Sequence, residues 1–199
     1  MYRGDRARIF PVIIVLIVIA VAIAGLVAAG RAIFGGEQPT ATQPDVSREA
    51  LLNTASLRSV RMTVRGPLVA DENFRSYQLT VSNSNRTLTT YSGYLAQPLA
   101  SKQLGNNNKA YDEFVHALDK ASMVKGEAFS GDKDDTRGIC ATGRVYEFEI
   151  LDGTSSVKRL WTSTCKGSAG SLKASSKQLE TLFLEQIPDR KTVLKTVDL

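Results

Sequence analysis

The chain has 199 residues, 43% hydrophobic and 23% charged, with two cysteines and one histidine. Its formal charge of +5 sits mostly at one end. Arg3, Arg6, Arg8 and Arg31 fall in the first 31 positions with only Asp5 against them, so the remainder carries just +2. So small an excess excludes a dedicated nucleic-acid binder, and no nucleic-acid partner is expected.

Residues 9–30 contain no charged side chain, and Val12 to Ala29 is apolar throughout. As a helix this run is about 33 Å long, enough to cross a hydrocarbon core of about 30 Å. Ile13 to Ile19 is apolar on every side, whereas a surface helix of a soluble protein keeps a polar face. The basic flank before the run predicts a cytoplasmic tail at 1–8, a single transmembrane helix at 9–30 and an extracytoplasmic remainder, hence a cell-membrane location. A cleaved secretory signal is the alternative, since Ala22, Ala24, Ala28 and Gly30 offer small residues for cleavage, although the run exceeds a usual signal core. Both readings export the domain. Ala20, Ala24 and Ala28, with Gly25 and Ala29, form small-residue rows through which two anchors could pair as a homodimer. Arg3, Gly4 and Asp5 spell an adhesion tripeptide but belong to the cytoplasmic flank, so they read as ordinary anchor flank.

Gly35, Gly36, Pro39 and Pro44 make 31–47 a flexible linker, and 48–199 remains for one domain of about 150 residues, enough for a core of its own. Ser47 to Ala55 reads as a short helix with Leu51 and Leu52 on its buried face. Val60, Met62 and Val64 alternate with Arg61, Thr63 and Arg65, the period of a half-buried strand that Gly66 and Pro67 interrupt. Tyr77, Leu79 and Val81 alternate again, Asn83 to Asn85 turns, and Arg86 to Tyr91 returns. Tyr111, Phe114, Val115 and Leu118 lie on one helical face, with Asn106, Asn107 or Asn108 as N-cap. After a polar loop from Ser130 to Asp135 and a hairpin around Asp152, a second helix starts near Ser175, where Gln178 completes a capping-box pattern. It carries Leu179, Leu182, Phe183 and Ile187 and stops at Pro188. Val193, Lys195 and Val197 suggest a final strand. The order predicts an α+β fold, an antiparallel sheet packed by helices.

Cys140 and Cys165 fall outside the cytoplasm on this topology, where disulfides persist. With Asp152 and Gly153 as the two central residues of a hairpin turn, Cys140 falls opposite Cys165. That register places Tyr146, Phe148, Ile150, Val157 and Trp161 on one face, and on the other Glu147 opposite Lys158 and Val145 opposite Leu160. The expectation is a cross-strand disulfide, with Gly143 as the place where a bulge would shift the register by one.

Residues with chemical potential are few. His116 lies off the apolar face of its helix among Asp112, Glu113, Asp119 and Lys120, and reads as a solvated histidine rather than a triad base. Glu147 and Glu149 share a strand face, in the manner of paired carboxylates, but a neighbouring lysine points to a surface ion pair. Asp132, Asp134 and Asp135 lack the glycine and distal glutamate of a calcium loop. No catalytic residue, metal or cofactor is expected. The best candidate surface, for an anionic polymer or a partner protein, is the strand face of Arg61 and Arg65 with Arg75 and Arg86 nearby.

Two blocks, VRMTVRGPLVADENFRSYQLTVS with RTLTTYSGY and GICATGRVYEFEIL with VKRLWTSTC, resemble single-pass membrane-anchored outer-surface proteins of small-genome candidate-phylum bacteria. The resemblance covers about half the chain and implies its location and the cysteine pair, and no activity. The function expected from the sequence is an extracytoplasmic binding or structural module of the cell envelope; an envelope hydrolase or a small-ligand-binding domain is the alternative.

Overall fold

Three strands that alternate buried and polar residues are bound to pair, since each exposes a row of unpaired backbone groups along both edges. A computed structural model describes residues 46–55, 57–197 and 199. The expected cytoplasmic tail, the expected transmembrane helix with its small-residue rows, and the expected linker as far as residue 45 lie outside those residues. Among the described residues no helix is long and apolar enough to cross a membrane.

The chain forms α1 (Val46–Leu52), β1 (Arg58–Arg65), β2 (Arg75–Ser82), β3 (Asn85–Ser92), β4 (Gln97–Gly105), α2 (Asn108–Lys120), β5 (Val145–Asp152), β6 (Ser155–Ser163), α3 (Ser176–Leu184) and α4 (Arg190–Leu194). Short 3₁₀ turns occupy Asp71–Asn73 and Gly131–Asp134. The strands make one antiparallel sheet in the order β4-β3-β2-β1-β5-β6, so the α+β expectation holds. A meander fills one half and the hairpin the other. They meet at β1, where Met62 faces Leu79 on one side and Phe148 on the other.

Val60, Met62 and Val64, with Tyr77, Leu79, Val81, Phe148 and Ile150, form the inner face, and the helices cover it. Asn107 caps α2 by accepting the Ala110 N–H at 2.9 Å, and Ser175 caps α3 by accepting that of Gln178 at 3.3 Å. Phe114 meets Phe183 edge-on at 5.2 Å, and Phe148 lies 6.0 Å from the same ring, so Phe183 joins both helices to the sheet. Each such buried side chain contributes about 1.5–3 kcal/mol. Tyr77 donates to Glu180 at 2.5 Å; its burial, then that carboxylate, raise its pKa.

Three expectations change. Gln97–Gly105 is a strand that went unrecognised, because an edge strand with Pro98 and mostly polar residues shows no buried period. Val193 and Val197 are both buried, but by helical spacing from α4 and the turn after it, not in a final strand. The hairpin closes on Gly153 and Thr154, with Asp152 paired to Ser155, and a bulge at Ile150/Leu151 shifts the register once more. Glu147 therefore faces Trp161, not Lys158, and Val145 faces Ser163, not Leu160. An odd displacement turns β6 over. Leu160 joins the core beside Phe148, Trp161 packs on the outer side against Phe129 at 6.0 Å, and Val157 is exposed. Lys158 turns inward, donating to Ser47 Oγ and to the carbonyls of Val124 and Gly126.

Cys140 and Cys165 are bonded, with Cα atoms 5.2 Å apart, but beyond the ends of β5 and β6. Gly143 N–H bonds the Cys140 carbonyl in a turn that folds Cys140 back to its partner. A Cβ at Gly143 would lie 2.2 Å from Thr164 Oγ1 and 2.8 Å from Cys140 Sγ, so only glycine leaves room for the bridge. The loop it closes, with a sequence separation of 25, is worth about 3.5 kcal/mol in the chain-entropy account. Replacing both cysteines with alanine should lower the thermal midpoint by roughly 10 °C. Alkylation of the denatured, unreduced parent should modify no thiol, and two modified thiols by mass spectrometry would refute the bridge.

Candidate functional site

The side of the sheet turned away from the helices is treated differently in its two halves. Over β1, β5 and β6 it is covered by the segment 129–144, which sets Phe129 against Trp161 and is held by charge. Glu147 accepts Arg159 Nε at 2.9 Å and its NH2 at 2.6 Å, and it also pairs with Arg65. Arg159 reaches the Asp134 carboxylate at 2.8 Å and its carbonyl at 3.0 Å, and Arg65 donates to Thr136 Oγ1. Burial works against the charge of Arg159, but Glu147 and Asp134 outweigh it and raise its pKa. One glutamate thus fastens two arginines and, through them, the loop.

Over β1, β2 and β3 the same side is open, and there the molecule has a cavity of about 360 Å³. Its floor is the sheet. Thr63 and Gln78 are cross-strand partners joined by a 3.2 Å hydrogen bond from Gln78 Nε2 to Thr63 Oγ1, and Arg65, Ser76 and Tyr91 complete it. One wall comes from Thr136 to Ile139, with Val145 beside them. The other is aromatic. Phe74 and Tyr94 stack with centroids 4.1 Å apart and planes inclined by 19°. The Tyr94 hydroxyl donates to the Val69 carbonyl at 2.7 Å and accepts the Val69 N–H at 3.2 Å, so the hydroxyl end of the ring is held by both backbone groups of one residue. Gly93 turns the chain into this wall at φ +71°, and a Cβ there would come within 3.0 Å of the Asp71 carboxylate, which accepts the Tyr94 N–H at 2.7 Å.

The four arginines singled out from sequence do not form one surface. Arg61 and Arg65 share the outer face, as their strand period implies, but each has a carboxylate partner: Arg61 binds Glu149 at 2.7 Å and Arg65 binds Glu147. The register puts Arg75 and Arg86 at positions of the opposite face. Arg75 donates to the carbonyls of Glu72 and Phe74 and to Ser92 Oγ, and Arg86 to the Gly105 carbonyl. Arg65 alone lines the cavity. Arg137, at the rim, is paired with Asp135, whose carboxyl its side-chain and backbone hydrogen bonds hold down at about 2.

Glu147 and Glu149 do share a face, yet arginines hold both, so neither is positioned as a free acid or base. His116 is exposed on α2, 3.7 Å from Asp112, with no place in the cavity. Among the described residues no group of histidine, cysteine, aspartate and glutamate could hold a metal ion. Phe74, Ser76, Gln78, Tyr91 and Tyr94 were not singled out from the sequence. The available signal was an outer strand face bearing hydroxyls and an amide where a fully solvated face would carry charge.

Fold and site together define a helix-backed antiparallel α+β domain with a cavity on the open half of its outer sheet face. Comparison with known proteins finds no family model and no curated protein that matches this chain.

Because Glu147 neutralises two half-buried cations, Glu147→Ala should cost about 2–3 kcal/mol, measured by chemical denaturation. Glu113→Ala, which breaks an exposed pair with Lys109, should leave the midpoint where it is. Equal midpoints for the two variants would show that Glu147 does not hold the loop.

Proposed function

We propose that the chain is a membrane-anchored, extracytoplasmic binding module of the cell envelope, and that the cavity over β1, β2 and β3 is where it takes a small ligand. The observation that carries the reading is the cavity itself, which falls in the size range of ligand sites and has apolar walls with a few convergent polar groups. Its walls are tied in place before any ligand arrives, by the Tyr94–Val69 hydrogen bonds on one side and the Glu147 ion pairs on the other. Preformed walls reduce the ordering cost of association. The anchor rests on the uncharged run at 9–30 and its basic flank, and the oxidised cysteine pair fits an exported domain. Pairing of Arg61 and Arg65 with glutamates leaves little free positive charge for an anionic polymer, so the cavity is the better-supported contact.

Two measurements test this. Protease added to spheroplasts should remove residues beyond about 35; a protected domain with an accessible N-terminus would overturn the topology. Purified full-length chain should gain thermal stability from at least one class in a panel of sugars, amino acids, peptides and anions, by about 2.7 kcal/mol at a hundredfold excess over Kd. Ser76→Phe, which fills the floor, should abolish that gain. No stabilisation by any class, or a gain that survives Ser76→Phe, would remove the cavity from consideration.

A further inference from the structure

The lining of the cavity also restricts what it can hold, and this inference rests on the reading of the cavity as a ligand site. The floor lies in the middle of the sheet, where the backbone groups of β1, β2 and β3 are paired in their ladders. A peptide could not add there as a further strand, so side chains must do the recognising. Those on the floor are neutral: the hydroxyls of Ser76 and Tyr91, which make no hydrogen bond within the described protein, and the Thr63–Gln78 pair. No aspartate or glutamate lines the cavity, while Arg65 and Arg137 do, so a cationic ligand has no counter-charge. An aromatic ligand would suit the Phe74–Tyr94 wall but would leave the floor hydroxyls unpaired on losing water, which is unfavourable. A ligand that satisfies wall and floor together has one flat apolar face and several neutral hydroxyl or amide groups around its edge.

We propose that the cavity binds a neutral saccharide, one or two pyranose rings, with a ring face against Tyr94 and its hydroxyls or an N-acyl group on Ser76, Gln78 and Tyr91. The size agrees. A volume of about 360 Å³ corresponds to roughly a dozen waters. Tyr94 is half exposed and fixed in orientation, so stacking on it freezes no further rotamer.

The test uses full-length chain in a detergent without a sugar headgroup, with N,N′-diacetylchitobiose, cellobiose and indole-3-acetate as probes, read by saturation-transfer NMR and titration. At least one disaccharide should receive saturation, strongest at its ring C–H protons. Gln78→Leu, which keeps the side chain's bulk, should weaken it at least tenfold, and Ser76→Phe should abolish it. Tyr94→Leu should weaken it as well; because that variant could loosen its turn, Gln78→Leu is the deciding one. If indole-3-acetate binds and is lost in Ser76→Phe while neither disaccharide binds, the saccharide proposal fails and the cavity remains a ligand site. Should no probe bind, or disaccharide binding be indifferent to Gln78→Leu and Ser76→Phe, the saccharide proposal is overturned; indifference of every ligand to Ser76→Phe overturns the cavity reading too.

Discussion

Three side chains of β1, Val60, Met62 and Val64, are wholly cut off from solvent, and their burial decides where everything else must go. The strand lies in the middle of the sheet. It takes β2 on one side and β5 on the other, which joins a four-stranded meander to a hairpin about forty residues further along the chain. The helices α2 and α3 then have a single apolar surface to cover, and Phe183 completes the contact between them and Phe148. Because strand side chains alternate, the same constraint sends Arg61, Thr63 and Arg65 to the far face. The site is built on that face.

The far face is where charge and neutrality divide. Toward β5, Glu147 and Glu149 meet Arg61, Arg65 and Arg159, and Arg65 and Arg159, held by Glu147, clamp the segment 129–144 onto the sheet through Asp134 and Thr136. Toward β2 and β3 the corresponding positions hold Gln78, Ser76 and Tyr91, which attract no covering loop and leave a hollow. The disulfide fastens the clamped segment at its far end, four residues beyond Thr136, so the same loop is held by ions on one side and by a covalent bond on the other. A hollow edged by such a loop keeps its shape when empty.

How much of this could be read from the sequence depended on whether the signal was local. The helix at Asn108–Lys120, its Asn107 cap and the inward residues of β1 and β2 all follow from periodicity within about ten residues. The edge strand β4 has no such period. The hairpin turn was recognised one residue too early, and the bulge at Ile150/Leu151 added a further step, which misplaced Trp161 and Lys158. The bonded cysteines were nonetheless matched correctly, because the turn at Gly143 carries Cys140 back to where a simpler register would have put it. The cavity left only a faint trace, the neutral outer positions of β1 to β3. Its lining comes from separate stretches between Thr63 and Val145, and no local pattern says that they meet.

The free edge at β4 has a consequence of another kind. Sheets with a long unpaired rim tend to recruit a neighbour and grow into fibrils. Here Pro98 offers no N–H, the ladder is irregular at Thr90/Tyr91, and Lys102 points inward to donate to the Pro188 carbonyl at 2.9 Å. A bound lysine at that position would have to be torn from its acceptor, or buried bare, before another rim could seat against the core side of β4. Copies crowded together can therefore collide edge to edge without polymerising.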